Sequence, residues 1–461
     1  MEAIERHLRD HREDHLAQLK SLLSIPSISA LSEHKGDVRK AAQFLSEALT
    51  EAGFQNAEIV ETAGHPVVYA DWLNAPGKPT VLVYGHYDVQ PVDPLHLWQS
   101  PPFEPDIRDN QIYARGASDD KGPTFMHIKA LEAILQEHGE LPLNIKFCIE
   151  GEEEVGSAHL ADALEAHKAK FQADLVLISD TTMLAPDQPS ICYGLRGLAA
   201  FQIDLRTANS DLHSGLYGGA VPNAVHALVE LLDTLHAPDG TITVDGFYDG
   251  VVELSPAERD EYAKLPHDDE AYRQSLDLPA LHGEPGYTTL ERLWARPTLE
   301  LNGIYGGFQG EGTKTVIPNE AHAKITCRLV PGQDPNAILD RIEAHITKHT
   351  PVGSTVTFTR QEGGHPYLAP YDHPAIQLAA QAYTKAYGVQ AVFTRMGGSI
   401  PVVETFSQLF HIPIVLMGFG LSDENFHAPN EHFSLDNFDK GLRTLCYYYL
   451  NLPTVLGNEP N

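Results

Sequence analysis

The sequence predicts an α/β protein of two domains, the second inserted into the first. Three observations carry this. Short apolar runs that read as buried strands recur among amphipathic helical stretches, and they lead into histidines or carboxylates. Residues 81–84 run into Gly85-His86, 144–149 into Glu150, 175–178 into Ser179-Asp180, and 414–417 into a loop that holds His427. Near residues 193–197 the pattern changes to alternating, half-exposed strands with helices between them. After residue 370 a helix and an apolar strand of the first kind return.

Taken in order, residues 2–23 carry one apolar face from Leu8, His15, Leu16, Leu19, Leu22 and Leu23, which predicts a helix ended by Pro26. A second helix, over 36–52, presents Ala41, Phe44, Leu45, Ala48 and Leu49 and stops at Gly53. Strands over 57–60 and 67–72 precede the strand before His86, with Pro76-Gly77 as the turn. Prolines 91, 94, 101, 102 and 105 make a stiff irregular segment anchored by Trp98 and Phe103. A helix over 123–138 opens on proline, a favoured first position, and this places Asp119 just ahead of a helix N-terminus. Another helix is expected over 159–168.

In the inserted part, strand 201–205, helix 222–235, strand 321–329, helix 335–349 and strand 355–358 describe a ferredoxin-like layer. Residues 240–297 do not fit it and read as an insertion. Helix 370–388 and strand 412–417 complete the outer domain. The expected boundaries are therefore 1–195, 196–368 and 369–461, the first and last segments forming one domain. No internal repeat is evident.

The 461 residues are 42% hydrophobic and 21% charged, enough for large cores, and the formal net charge is −31. That balance, without any Lys/Arg run, argues against nucleic acid or an anionic membrane as partner. Cysteine is scarce, at positions 148, 192, 327 and 446, and reads as buried free thiols in a reducing compartment. Residues 1–20 lack the apolar core of a signal peptide, and no apolar run reaches membrane-spanning length. The expectation is a cytoplasmic protein.

His86 stands where a strand stops, with Asp88 two residues on. A carboxylate on one ring nitrogen fixes the tautomer and leaves the other nitrogen to ligate a metal. Alone, His-x-Asp is a weak signal, and most such histidines are ordinary. In an open α/β sheet, however, ligands collect at the carboxyl ends of the strands. Two histidines and three carboxylates aimed at that edge suit a pair of Zn, Mn or Co ions rather than a thiolate-bound structural zinc.

An isolated Asp119 would usually be a helix cap. Two adjacent aspartates beside Gly and Lys, in a chain that already holds His86 and Asp88, shift the reading towards a metal. The run Glu152-Glu153-Glu154 would ordinarily be a solvated charge run. At the end of a buried strand, three carboxylates repel one another unless cations compensate. One can ligate while a neighbour acts as general base on water; spacing alone does not choose among the three. Arg328 reads either as a two-point partner for a substrate carboxylate or as a surface arginine on a strand. Gly397-Gly398-Ser399 offers unhindered N–H groups and a hydroxyl, or is a plain turn. His365 and His373 read as structural.

Several stretches together resemble the M20 family of co-catalytic metallopeptidases, in particular the branch of cytosolic dipeptidases and carnosinases. They are Gly85-His86-Tyr87-Asp88, Ser118-Asp119-Asp120-Lys121-Gly122, Glu150-Gly151-Glu152-Glu153-Glu154-Val155-Gly156-Ser157 and Ser179-Asp180. Later in the chain come His213-Ser214-Gly215, Arg328-Leu329-Val330-Pro331, Gly397-Gly398-Ser399-Ile400-Pro401 and His427-Ala428-Pro429-Asn430-Glu431.

The resemblance implies a zinc-peptidase-like α/β catalytic domain interrupted by a ferredoxin-like α+β lid and dimerisation domain. It implies metal-dependent hydrolysis of dipeptides, or of short peptides with a free C-terminal carboxylate. Two divalent ions are implied, zinc first, with Mn or Co as alternatives. Asp119 would bridge them, His86 and Asp180 would complete one site, and Glu154 and His427 the other. Asp88 would orient His86, and Glu153 would be the general base and later acid. The Asp119–Asp120 peptide is often cis in this family. His213, supplied by the partner subunit of a homodimer, would stabilise the oxyanion. Arg328, Gly398 and Ser399 would bind substrate. Rival expectations are an N-acyl amino acid deacylase on the same fold, a two-metal phosphoesterase, and a non-catalytic binding protein.

Overall fold

In the computed structural model, which describes residues 1–398 and 400–456, the apolar run before His86 is the strand Thr80–His86 of a mixed sheet. The chain divides into two units. The first comprises Met1–Tyr193, Ala369–Thr394 and Pro401–Asn461, and the second Gly194–Leu368 with Arg395–Ile400.

The sheet of the first unit runs in the order Gln55–Val60, Val67–Trp72, Asn144–Glu150, Thr80–His86, Leu175–Ile178, Ile414–Leu416, Ser190–Leu195. Four central strands are parallel: Asn144–Glu150, Thr80–His86, Leu175–Ile178 and Ile414–Leu416. Parallel strands are covered on both faces, which is why their sequences are continuous apolar runs rather than alternating ones. Their register is level: His86 pairs with Glu150, Tyr84 with Ile178, and Ile178 with Leu416. The four carboxyl ends therefore share one edge. The flanking pairings are antiparallel.

The helix Lys121–His138 lies against Thr80–His86, and Leu435–Asn451 packs on that helix. The approach is close at its start. A Cβ placed on Gly85 would stand 1.9 Å from Thr124 Oγ1, so only glycine lets the helix N-terminus reach the strand end.

Some element boundaries differ from the sequence reading. The stretch expected as one helix is two, Glu2–Asp10 and Arg12–Leu23, separated at His11 with φ −104° and ψ 9°. Ile4, His7 and Leu8 before the break and His15, Leu16 and Leu19 after it are all buried, so the apolar pattern continues across it and conceals it. The helix expected to open on Pro123 begins at Lys121, with Asp120 as its N-cap residue. The helix expected over 159–168 is two short ones, Leu160–Ala166 and Lys168–Phe171.

The second unit holds an antiparallel sheet ordered Thr298–Gly306, Glu320–Leu329, Gly197–Arg206, Thr355–Gly364. With the helices Ala224–Asp233 and Pro335–His349, this is the connectivity and strand order of a ferredoxin-like layer. Phe201, Ile203, Leu228, Leu231, Ile325 and Ile342 belong to its core. Residues 240–297 contain three short helices, Pro256–Tyr262, Asp269–Ser275 and Thr289–Ala295. Capping boxes at Ser255/Glu258 and Thr288/Glu291 start two of them. Arg296 ties the excursion together through Glu253 at 2.6 Å and Glu284 at 2.8 Å.

Cys148, Cys192, Cys327 and Cys446 are buried free thiols. Among the described residues, no helix is long and apolar enough to cross a membrane.

Candidate metal centre and active site

Five side chains from separate segments of the first unit meet at the carboxyl edge of the parallel strands. His86 ends its strand. Asp119 precedes the helix Lys121–His138. Glu154 lies in the 3-10 turn Glu153–Val155 that follows Asn144–Glu150, and Asp180 lies two residues past Leu175–Ile178. His427 sits in the loop before His432–Ser434, in the left-handed conformation (φ 57°), which is uncommon outside glycine.

The ligand atoms of His86, Asp119 and Asp180 lie within 4.8 Å of one another, as do those of Asp119, Glu154 and His427. Asp119 is common to both trios. Its Oδ1 is 3.0 Å from His86 Nε2 and its Oδ2 is 2.9 Å from His427 Nε2. His427 Nε2 is also 3.1 Å from Glu154 Oε2. The Asp119–Asp120 peptide is cis.

Each trio offers one imidazole nitrogen and two carboxylates, with no thiolate, a donor set that fits Zn²⁺, Mn²⁺ or Co²⁺. Donors about 2.0–2.2 Å from a single ion stand at most roughly 4.4 Å apart, close to the observed span.

The surrounding residues fix these groups. His86 Nδ1 is 3.1 Å from the Asp88 carbonyl and 3.4 Å from its carboxylate, so the main chain shares the orienting role expected of that carboxylate. The Asp88 carboxylate accepts the N–H groups of Glu153 at 3.2 Å and Glu154 at 3.1 Å, which pins the acidic turn. Gln90 Nε2 donates to Glu154 Oε2 at 2.9 Å.

The three glutamates separate by their partners. Glu152 is engaged by His65 N–H at 3.0 Å and by the His159 ring at 2.9 Å, a structural role. Glu154 joins the metal-type cluster, and Glu153 is left half-buried beside it. Glu431 is fully buried and holds the loop that carries Asp119. It accepts from Arg115 Nη1 at 2.7 Å and from the N–H groups of Gly116, Ser118 and Asp119 at 2.9, 3.1 and 3.2 Å. Sequence reading gave Gln90, Arg115 and Glu431 no role. The only signal was that Glu431 closes the quoted stretch His427-Ala428-Pro429-Asn430-Glu431.

The electrostatics are those of a cation site. Burial pushes Asp180 well above the usual carboxylate range, and the charges of Asp119 and Glu153 add to this. Burial raises Glu153 to about 7, helped by the charges of Glu154 and Asp119. Burial would also raise Asp119, but hydrogen bonds from His427 and His86 hold it below its ordinary value. His427 is lifted to about 10 by Asp119 and Glu154. His86 stays well above its ordinary value because bonds to Asp119 and Asp88 outweigh its burial.

His213, Arg328 and Gly398 belong to the second unit. His213 is exposed, and its Nδ1 accepts the Gly215 N–H at 3.0 Å. That bond requires the neutral tautomer protonated at Nε2, so Nε2 is a hydrogen-bond donor. Arg328 is half-buried on the strand Glu320–Leu329. Ser399 lies outside the described residues. His365 pairs with Asp334 at 2.9 Å, and His373 accepts the Ala375 N–H at the start of Pro374–Tyr387.

Residues 82–451 match the profile of peptidase family M20/M25/M40. The chain is 34% identical over 461 residues to the Cys-Gly metallodipeptidase dug1 of Schizosaccharomyces pombe, covering 96% of each protein. It is 34% identical over 394 residues to the Beta-Ala-His dipeptidase of Homo sapiens, covering 84% of this chain and 77% of that one. Among solved structures, it is similar to the M20 family metallo-carboxypeptidase Sso-CP2 of Sulfolobus solfataricus. That match has a TM-score of 0.84 and 33% identity, and covers 95% of this chain and 99% of the other.

Proposed function

This chain belongs to peptidase family M20/M25/M40 and is a metal-dependent dipeptidase, and we propose the following assignment of its site. His86, Asp119 and Asp180 would hold one divalent cation and Asp119, Glu154 and His427 a second, zinc by preference, with Asp119 common to both. The observation that carries this is the convergence of five ligand-type side chains into two trios that share Asp119.

When bound, the cations acidify coordinated water and polarise the scissile carbonyl. Glu153 takes the proton of the attacking water and later returns it to the leaving amine. Its half-buried position beside Glu154, in a turn whose N–H groups are held by Asp88, supports this. Asp88 positions His86 and the Glu153–Glu154 turn at once. His213 of the partner subunit donates Nε2–H to the developing oxyanion. Arg328 pairs with the substrate's terminal carboxylate, and Gly398 and Ser399 add donors to it. The ferredoxin-like unit serves as lid and homodimer surface. Four buried free cysteines support a reducing, cytoplasmic setting.

The test is hydrolysis of unblocked dipeptides against N-acetyl amino acids and a phosphate monoester by metal-loaded enzyme. Turnover of the dipeptides alone is expected. Preference for either of the other substrates would overturn the assignment.

A further inference from the structure

We infer that Arg196 is a second guanidinium of the substrate's carboxylate seat, working beside Arg328 to make a free C-terminal carboxylate a condition of good binding. This rests on the dipeptidase reading above and adds a specificity residue to it.

Leu198 stands opposite Arg328 in the antiparallel register. Arg196 is the single residue between the strands Ser190–Leu195 and Gly197–Arg206, two places before Leu198. Phe201, Ile203, Ile325 and Cys327 alternate with Leu198 and Arg328 along these strands and supply the core on the opposite face. Arg196 and Arg328 both line one cavity of about 790 Å³ within the second unit, a size that suits a small-molecule site. The excursion over 240–297, for which sequence reading found no role, walls it with Tyr248 and His282 among others.

The charges of that cavity are unequal in their partners. Arg296 is satisfied by Glu253 and Glu284. Arg292 donates to the main-chain carbonyls of Glu284 and His282. Arg196 is half-buried and donates Nε–H to the Gly397 carbonyl at 3.0 Å. Among the described residues, no carboxylate forms an ion pair with it. A guanidinium has five N–H donors, so the bond to Gly397 leaves most of them for a ligand. Burial, and then the charge of Arg328, bring Arg196 down to about 10, while the carboxylate of Glu300, which lines the same cavity, acts the other way. Two like charges beside each other in a partly desolvated cavity gain from an incoming anion, and a planar fork suits a carboxylate. The sign is also reversed against that of the chain as a whole, whose formal net charge is −31.

The Gly397 contact adds a second link. A Cβ on Gly397 would stand 2.8 Å from Arg196 Nη2, so the guanidinium lies directly against this stretch and would have to shift for any larger residue there. Gly398 and Ser399, proposed as donors to the same carboxylate, follow directly. Arg196 thereby also holds the main chain at Gly397, next to Gly398.

The experiment compares kcat and KM for an unblocked dipeptide and for its C-terminal amide, in the full-length, metal-loaded enzyme. For Arg196→Met, KM for the free acid is expected to rise at least about tenfold while kcat changes less than about threefold, the scale of losing a charge-assisted hydrogen bond. Amide hydrolysis stays within about twofold, so discrimination between acid and amide falls about tenfold. Arg196→Lys keeps the charge but not the fork and is expected to lose part of that discrimination, which serves if the Met variant fails to fold. An unchanged acid-to-amide ratio in either folded variant overturns the inference, whether both substrates decline together or neither does. Wild-type enzyme that cleaves no dipeptide would overturn the underlying assignment as well.

Discussion

Replacing Glu431 by glutamine tests how the loop bearing Asp119 is held. Both oxygens of Glu431 are used: one by Arg115 Nη1 and Gly116 N–H, the other by Ser118 and Asp119 N–H. Arg115 is only 1% exposed, so its charge has no recourse to water. Glutamine keeps one acceptor oxygen and turns an amide donor towards groups that are themselves donors. Removing one partner of a buried ion pair costs about 3–5 kcal/mol, and the retained oxygen puts this variant near 3. At roughly 2 °C per kcal/mol for a domain of this size, the melting temperature should fall by about 6 °C. Asp119 also loses its N–H anchor, and residues that support metal ligands change affinity by about 10–100-fold when removed.

Calorimetry of the metal-free protein reads the first effect, and zinc titration against a competing chelator reads the second. The double variant Arg115→Met/Glu431→Gln removes the stranded charge, so it should recover stability without recovering metal affinity. A Glu431→Gln protein that melts within about 1 °C of wild type and binds metal within about twofold would refute the account of this network.

Two further outcomes follow from the site and the core. Glu153→Gln should lower kcat by about 10²–10⁴-fold while metal content and KM stay as they are. Steady-state kinetics beside metal analysis checks this, and a loss below about tenfold would remove Glu153 from the role of base. The second outcome concerns acid stability. Burial, with smaller contributions from Lys129, His7 and His11, lowers His15 to about 3 in the fold, and burial alone lowers His127 to about 3. Below their ordinary value of 6.5 the unfolded chain binds protons that the folded chain refuses. Stability is therefore full above pH 6.5 and is lost as pH falls towards 3. Each histidine removes about 1.4 kcal/mol by pH 5.5. Denaturant melts at pH 8 and 5.5 should show His15→Leu losing about 1.4 kcal/mol less than wild type between the two, and an identical loss would contradict the reading.

The parts that were legible in the sequence are those set by periodicity. Continuous apolar runs gave the parallel strands, because both faces of such strands are covered, and a histidine or carboxylate beyond a strand end is carried to one edge by the sheet itself. The parts that were not legible are pairings between distant residues. Glu431 lies 312 positions from Asp119, and nothing local distinguishes it from a surface glutamate. Glu152, Glu153 and Glu154 are alike in sequence; His65 and His159 separate them in space by engaging Glu152. The Asp88 carboxylate was expected on His86, and its second task of holding two N–H groups of the acidic turn depends on a strand end that sequence cannot aim. The break at His11 was hidden because burial resumes in phase on its far side.

The shared position of Asp119 is tested most directly by counting metal ions per chain in wild-type protein and in Asp119→Ala after both are loaded with zinc and freed of excess. Two ions are expected in the wild type, one for each trio, and fewer than one in the variant, since both trios lose the same ligand. A wild-type chain that holds a single ion, or a variant that still holds two, would contradict this.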